Sequence, residues 1–174
     1  MKPIGTKPIA TQRLLLRPQQ PSDAGELVAA HSLAMTVDEA KRTVAAMIEE
    51  GSKPFAFHWT ITLEGHAIGR IKGWEVNPYN GYIQLGYDIG PDYRCKGYMT
   101  EAVSAVIRYL LEQAEANRVY CSVRENNTAS CRVCEKAGMT HEGTMRQHYA
   151  RQDGGYDDVR IYGIVKSDLT KGEE

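Results

Sequence analysis

The chain has 174 residues, 42% of them apolar and 25% charged, with a formal net charge of −1. That length and balance predict a single soluble globular domain over 1–174, able to bury a core without disulfides or a metal. The near-zero charge gives no bulk electrostatic case for nucleic acid or an anionic membrane. Met1-Lys2-Pro3-Ile4-Gly5 has no signal-peptide run, and the apolar stretch 102–111 is broken by Arg108 and is too short to span a bilayer. A cytoplasmic protein is the default expectation.

Residues 1–10 have the character of a loose arm. Leu14, Leu15 and Leu16 predict a first strand over 13–17, and Ser22 or Asp23 is placed to cap a helix carrying Leu27, Val28 and Ala30. Thr36 with Glu39 three residues on forms a capping-box pattern. Val37, Ala40, Val44, Met47 and Ile48 then recur at helical spacing until Gly51. A strand over 55–63 turns at Glu64-Gly65 into another over 67–76, and a third covers Tyr82–Ile89. Helical periodicity over 98–116, ~27 Å long, places Val103, Val106, Ile107, Leu110, Leu111 and Ala114 on one face. Val119, Cys121 and Val123 alternate with polar residues in a strand over 119–124. Ser130 is expected to cap a short helix ended by Gly138. Two final strands, over 140–150 and 159–165, are joined at Gln152-Asp153-Gly154-Gly155. The order predicts an α/β (α+β) domain, a mixed sheet with helices on both faces.

Cys95, Cys121, Cys131 and Cys134 have no secretory context, and the Cys131–Cys134 pair has no second pair to complete a zinc site. Reduced thiols and no metal are expected.

The turn Arg94-Cys95-Lys96-Gly97-Tyr98-Met99 lies between a strand and the long helix. The first N–H groups of a helix lack internal partners and sit at the positive end of its dipole, which suits a pyrophosphate. Gly97 permits close approach of an anion, and Arg94 and Lys96 add charge. The same features also describe an ordinary solvated helix start.

This turn resembles motif A of the GNAT N-acetyltransferases, [RQ]-x-x-G-x-[GA], with Arg94 and Gly97 matching and Met99 standing where Gly or Ala is usual. Thr11-Gln12-Arg13-Leu14-Leu15-Leu16-Arg17, Gly97 to Ala102, Asn127-Thr128-Ala129-Ser130 with Glu135 to Met139, Glu142 to Arg146, and Asp158 to Tyr162 are similar, in order, to motifs of the branch that acetylates ribosomal-protein N-termini. The resemblance covers 11–169.

It implies a mixed, mostly antiparallel sheet of about seven strands with about four helices, splayed at the cofactor site. It implies acetyl-CoA as co-substrate. The backbone of Tyr87, Asp88 and Ile89 would pair with the pantetheine arm, and the amides of Cys95, Lys96, Gly97, Tyr98, Met99 and Thr100 would hold the pyrophosphate beside Arg94. Asn127 would touch the arm. Ile89 is the candidate donor to the thioester carbonyl, and Ser130 the candidate thiolate acid or else only a helix cap. The helix tyrosine usual in the family is replaced by Cys134, and the strand glutamate by Gln84. His148 of the closing hairpin is therefore a candidate base, because imidazole changes charge nearest neutral pH; Tyr149, water and Asp88 are alternatives.

The implied activity is acetyl transfer to a primary amine, a protein N-terminus or a small amine. The competing reading is a non-catalytic acyl-CoA-binding or regulatory module on the same fold. The acceptor is expected between the first two helices and the closing hairpin, where Arg146, Arg151 and Arg160 would meet an acidic substrate unless Asp153, Asp157 and Asp158 neutralise them. A homodimer is left open.

Overall fold

The computed structural model describes residues 1–169. Its elements in chain order are β1 (Ile9–Ala10), β2 (Leu14–Arg17), α1 (Asp23–Ala29), α2 (Val37–Gly51), β3 (His58–Leu63), β4 (His66–Asn77), β5 (Tyr82–Ile89), a 3₁₀ turn (Pro91–Tyr93), α3 (Tyr98–Arg108), a π turn (Tyr109–Gln113), β6 (Arg118–Arg124), α4 (Thr128–Lys136), β7 (Thr140–Ala150), β8 (Tyr156–Val165) and α5 (Lys166–Leu169). The eight strands form one sheet in the order β1-β2-β3-β4-β5-β6-β8-β7. Every neighbouring pair is antiparallel except β5–β6.

Local chemistry explains most of these boundaries. Glu64 and Gly65 both take positive φ (51° and 88°), the geometry of the tight hairpin joining β3 to β4. The Thr36 hydroxyl accepts the Glu39 N–H, and the Glu39 carboxylate accepts the Thr36 N–H, so the predicted capping box is formed. In β6, Val119, Cys121 and Val123 are buried in the same core as Val103, Val106 and Leu110 of the long helical segment. Thr60 and Asp88 meet α1 and the loop after it on one face, while Tyr87 meets α4 on the other, so helices cover both faces.

Four expectations are corrected. The N-terminal arm is tied down: the Trp59 indole donates to the Lys7 carbonyl at 2.8 Å and the Tyr109 hydroxyl to the Gly5 carbonyl at 2.7 Å, and Ile9–Ala10 adds an eighth strand. A fifth, four-residue helix follows β8. The long helix leaves α geometry at Arg108 and finishes as a π turn. Neither Ser22 nor Asp23 caps α1 by side chain; instead the Asp23 carboxylate accepts the Gln20 N–H, which holds the chain entering the helix.

Asp23 is fully buried. Its carboxylate also accepts two bonds from Arg17, at 2.7 and 3.0 Å, and one from the Thr60 hydroxyl at 2.6 Å. Burial pushes the carboxyl up, but these donors outweigh it and hold it below the ordinary carboxylate value. The depressed value means that the stabilisation is complete above the unfolded value of ~3.9 and is lost as pH falls through the folded one. Asp23→Asn is expected to lower stability by about 3 kcal/mol at pH 7. Urea denaturation should show the gap to the parent narrowing progressively below pH ~4.

Candidate active site

The parallel contact between β5 and β6 covers only Tyr82–Arg118, Ile83–Val119 and Gln84–Tyr120. From Leu85 onward the two strands separate while β5 stays paired with β4 through Ile89. The Gly90 N–H donates to the Ile68 carbonyl in β4, and the Gly73 N–H turns away from Leu85 toward Phe57. By alternation along the strand, the Leu85 carbonyl and the N–H and C=O groups of Tyr87 and Ile89 face the gap, those of Asp88 face β4, and the Leu85 N–H is taken by the last parallel pair, Gln84–Tyr120. The Ile89 carbonyl accepts the Arg94 guanidinium at 3.3 Å across the mouth of the gap. Asp88 is occupied twice over. Its carboxylate accepts Arg70 Nε at 2.7 Å and the Ser32 hydroxyl, and burial, opposed by those two partners, pushes it above the usual carboxylate value.

The gap opens onto the 94–99 turn. Cys95 (φ 58°) and Gly97 (φ 81°) both take left-handed backbone, which folds the turn under the start of α3. The amides of residues 95–100 have no protein acceptor among the described residues; the first helical bond is from the Glu101 N–H to the Gly97 carbonyl. Arg94, Cys95, Lys96 and Gly97 are exposed, whereas the Met99 side chain is 8% exposed and packs in the core. Met99 thus contributes only its amide to the turn and leaves the space in front of it clear.

A clasp that the sequence did not reveal fixes this turn. Glu101, in the first turn of α3, accepts the Thr11 hydroxyl at 2.6 Å, the Arg13 N–H at 2.9 Å and Arg13 Nε at 2.7 Å. Arg13 also donates to the Lys96 carbonyl at 3.0 Å and stacks its guanidinium 4.5 Å from the Tyr98 ring centre. The start of β2 and the start of α3 are one charged, hydrogen-bonded unit.

On the other side of the gap, Asn127 is the cap of α4, its side chain accepting the Ser130 N–H at 3.2 Å. This corrects the expectation that Ser130 is the cap: Ser130 lies in the first turn, and its hydroxyl has no protein partner among the described residues. Tyr87 reaches across from β5, its hydroxyl donating to the Ser130 carbonyl at 3.2 Å and lying 3.3 Å from Cys134 Sγ. Burial, with Cys121 and Cys134 alongside, pushes this phenol well above its ordinary value, so it stays protonated. The structure therefore brings Tyr87, Asn127, Ser130 and Cys134 together.

His148 is elsewhere. On the opposite sheet face, where β5 and β6 are still paired, a cavity of about 490 Å³ is lined by Gln84, His148, Tyr149, Tyr82, Tyr120 and Glu75. Arg151 pairs with Asp153 and Asp157, and Arg160 with Glu125. Among the described residues no cluster of His, Cys, Asp or Glu is arranged to hold a metal, and no helix is long and apolar enough to cross a membrane.

Residues 13–140 match the family described as Acetyltransferase (GNAT) domain. The chain belongs to the GNAT acetyltransferase family. It is 28% identical over 138 residues to the probable N-acetyltransferase YjcK of Bacillus subtilis, covering 76% of this chain and 75% of that one. It is 26% identical over 128 residues to the ribosomal-protein-serine acetyltransferase of Escherichia coli, covering 74% and 71%. Among solved structures, the ribosomal L7/L12 alpha-N-protein acetyltransferase RimL in complex with coenzyme A superposes with a TM-score of 0.79 at 21% identity, covering 91% of this chain and 98% of that one; at that identity the likeness establishes the shared fold.

The GNAT turn yields a paired test. A side chain at Gly97 would sit in left-handed backbone and 3.3 Å from Arg13 Nη2. Gly97→Val should cost about 1 kcal/mol of stability while weakening acetyl-CoA binding about 30-fold, or roughly 2 kcal/mol, through displaced amides. Met99→Ala should do the reverse, losing about 2 kcal/mol of stability to a core cavity with acetyl-CoA affinity unchanged. Isothermal titration and urea melts of both variants separate the two effects.

Proposed function

We propose that this GNAT acetyltransferase moves the acetyl group of acetyl-CoA directly to a primary amine, a protein N-terminus or a small amine, within a ternary complex. The observation that carries the reading is the gap between β5 and β6, lined by β5 backbone groups that no longer pair with β6 and ending on the free amides of 95–100. Such amides at a helix start suit a pyrophosphate, with Arg94 and Lys96 adding positive charge at the rim. The gap-facing groups of Tyr87 and Ile89, with the Leu85 carbonyl, suit an extended arm bonded as an extra strand. Asp88 supports this edge indirectly, by anchoring β5 to Arg70 and Ser32. Asn127 acts through its cap, setting the angle at which α4 borders the gap. The complex of RimL with coenzyme A is consistent with the same occupant here.

Two further tasks fall to side chains on opposite sheet faces. An amine must lose a proton, and the leaving thiolate must gain one. The Ser130 hydroxyl, unpartnered beside Tyr87, is available on the α4 side. The acceptor side is the cavity that contains His148, and an α-amino group with a pKa of ~7.7 is already partly neutral there at physiological pH.

Acetyl-CoA at 100 times its Kd should stabilise the fold by about 2.7 kcal/mol, visible as a raised melting temperature. Thiol release should follow on addition of a suitable amine. No melting shift at millimolar acetyl-CoA overturns the reading. A clear shift without thiol release across a broad panel of amines favours the non-catalytic acyl-CoA-binding module, which the Gln84 and Cys134 substitutions would then explain.

A further inference from the structure

We propose that Glu75 is the carboxylate that receives the acceptor's ammonium group and takes its proton, in a pocket built for a cationic primary amine with an apolar or aromatic body. The inference rests on the transferase reading above and names the substrate class of that same site.

Glu75 occupies an unusual backbone position. The register of β4 against β5 shifts between Trp74 and Asn77, so that β4 carries one residue more than β5 at this point. Glu75 sits in that bulge with φ at 43°. Bulges re-aim side chains beside active sites, and left-handed non-glycine residues concentrate there. The bulge begins immediately after Trp74, the residue opposite Gln84. A carboxylate is thus supplied from the neighbouring strand beside the position where the family resemblance leads one to expect a strand glutamate.

The cavity's charges favour a cation. Glu75 is the sole carboxylate among the residues lining it, and Arg118 the sole guanidinium. Arg118 is neutralised by Glu142, and Arg124, over the Tyr149 ring, by Asp157. Glu75 has only a neutral partner: the Tyr120 hydroxyl donates to its Oε2 at 2.7 Å, and its Oε1 has no protein partner among the described residues. Burial and Glu75 itself push the Tyr120 phenol up, so it remains a donor. Tyr82 packs edge-on to Tyr120 at 6.2 Å, and His148 edge-on to Tyr149 at 4.7 Å. Cations already sit on two of these rings, Arg118 5.6 Å over Tyr120 and Arg124 4.9 Å over Tyr149, and an unneutralised carboxylate beside such rings is the chemistry that holds an ammonium group. Met145 and Ile161 complete an apolar wall for the rest of the acceptor.

The step balances without another reagent. The ammonium proton passes to Glu75 and from there to solvent at the cavity mouth. The freed nitrogen lone pair forms the N–C bond to the acetyl carbon, the C–S bond breaks with its electron pair on sulfur, and the thiolate is reprotonated. The second amine proton leaves as the tetrahedral adduct collapses to the amide.

The test compares benzylamine with O-benzylhydroxylamine, an amine of the same shape that is already neutral at pH 7. Glu75→Gln keeps the side-chain volume, and its acetyl-CoA affinity and melting temperature serve as controls for folding. The variant should lose about 100-fold or more in kcat/KM for benzylamine and far less for O-benzylhydroxylamine. Equal losses on both amines overturn the proposal. If the parent enzyme releases no thiol with either amine, the transferase reading is decided by the broad amine panel, and the Glu75 site is judged by benzylammonium binding followed by NMR. Weaker binding in the variant sustains the ammonium site, and equal binding overturns it.

Discussion

Three parallel residue pairs between β5 and β6 are what the rest of the molecule depends on. They join the antiparallel block β1–β5 to the block β6–β8, and they must end early enough to leave a gap. The join is pinned from below. The Gly81 carbonyl accepts both the Asn117 and Arg118 N–H groups, at 2.7 and 3.0 Å, and the Asn117 carbonyl accepts the Lys166 N–H at 3.0 Å. Gly81 has φ of 70° and lies so close to Asn117 that a Cβ would be 3.2 Å from the neighbouring side chain, so only glycine suits this corner. Above the three pairs the gap is propped rather than filled, by Tyr87 spanning to α4. Backbone groups that a continuous sheet would satisfy are left facing the gap, and a buried polar edge of that kind is stable only with solvent or a ligand in it.

The clasp between Thr11, Arg13 and Glu101 solves the complementary problem of orientation. A turn with two left-handed residues has no side-chain cap of its own at Gly97. Glu101 supplies the missing constraint by binding the entry to β2, which starts three residues after Thr11. Burial pushes its carboxyl up, but the bonds from Thr11 and Arg13 outweigh this and hold it below the ordinary value. Two stretches that look independent along the chain, one near residue 13 and one near residue 101, are therefore a single device for presenting the amides of α3.

The parts legible in the sequence were those governed by local chemistry. Tyr82–Ile89 and Thr140–Ala150 have the predicted bounds, and the Thr36–Glu39 box and the Glu64–Gly65 hairpin are formed as their residue types dictate. What was not legible depended on distant partners. Asn127 and Ser130 are both good cap formers at three-residue spacing, and only the path of the chain selects Asn127. β1 exists because Trp59 and Tyr109 bind the arm's carbonyls from elements far along the chain. The place of Glu75 was not legible because a bulge reverses the side to which a strand residue points, and alternation alone cannot locate the extra residue.

The three departures from the family pattern share one physical logic. At each, a neighbouring side chain or the backbone presents a polar group in the same place. Met99 turns its side chain into the core and offers an amide identical to that of a glycine. Cys134, buried where a tyrosine is usual, lies against a tyrosine hydroxyl contributed by Tyr87 from the facing strand. Gln84 shares its cavity with a carboxylate from β4. Motif positions mark places along the chain, and the fold, by bringing strands and helix ends together around the gap, sets which groups surround each of them.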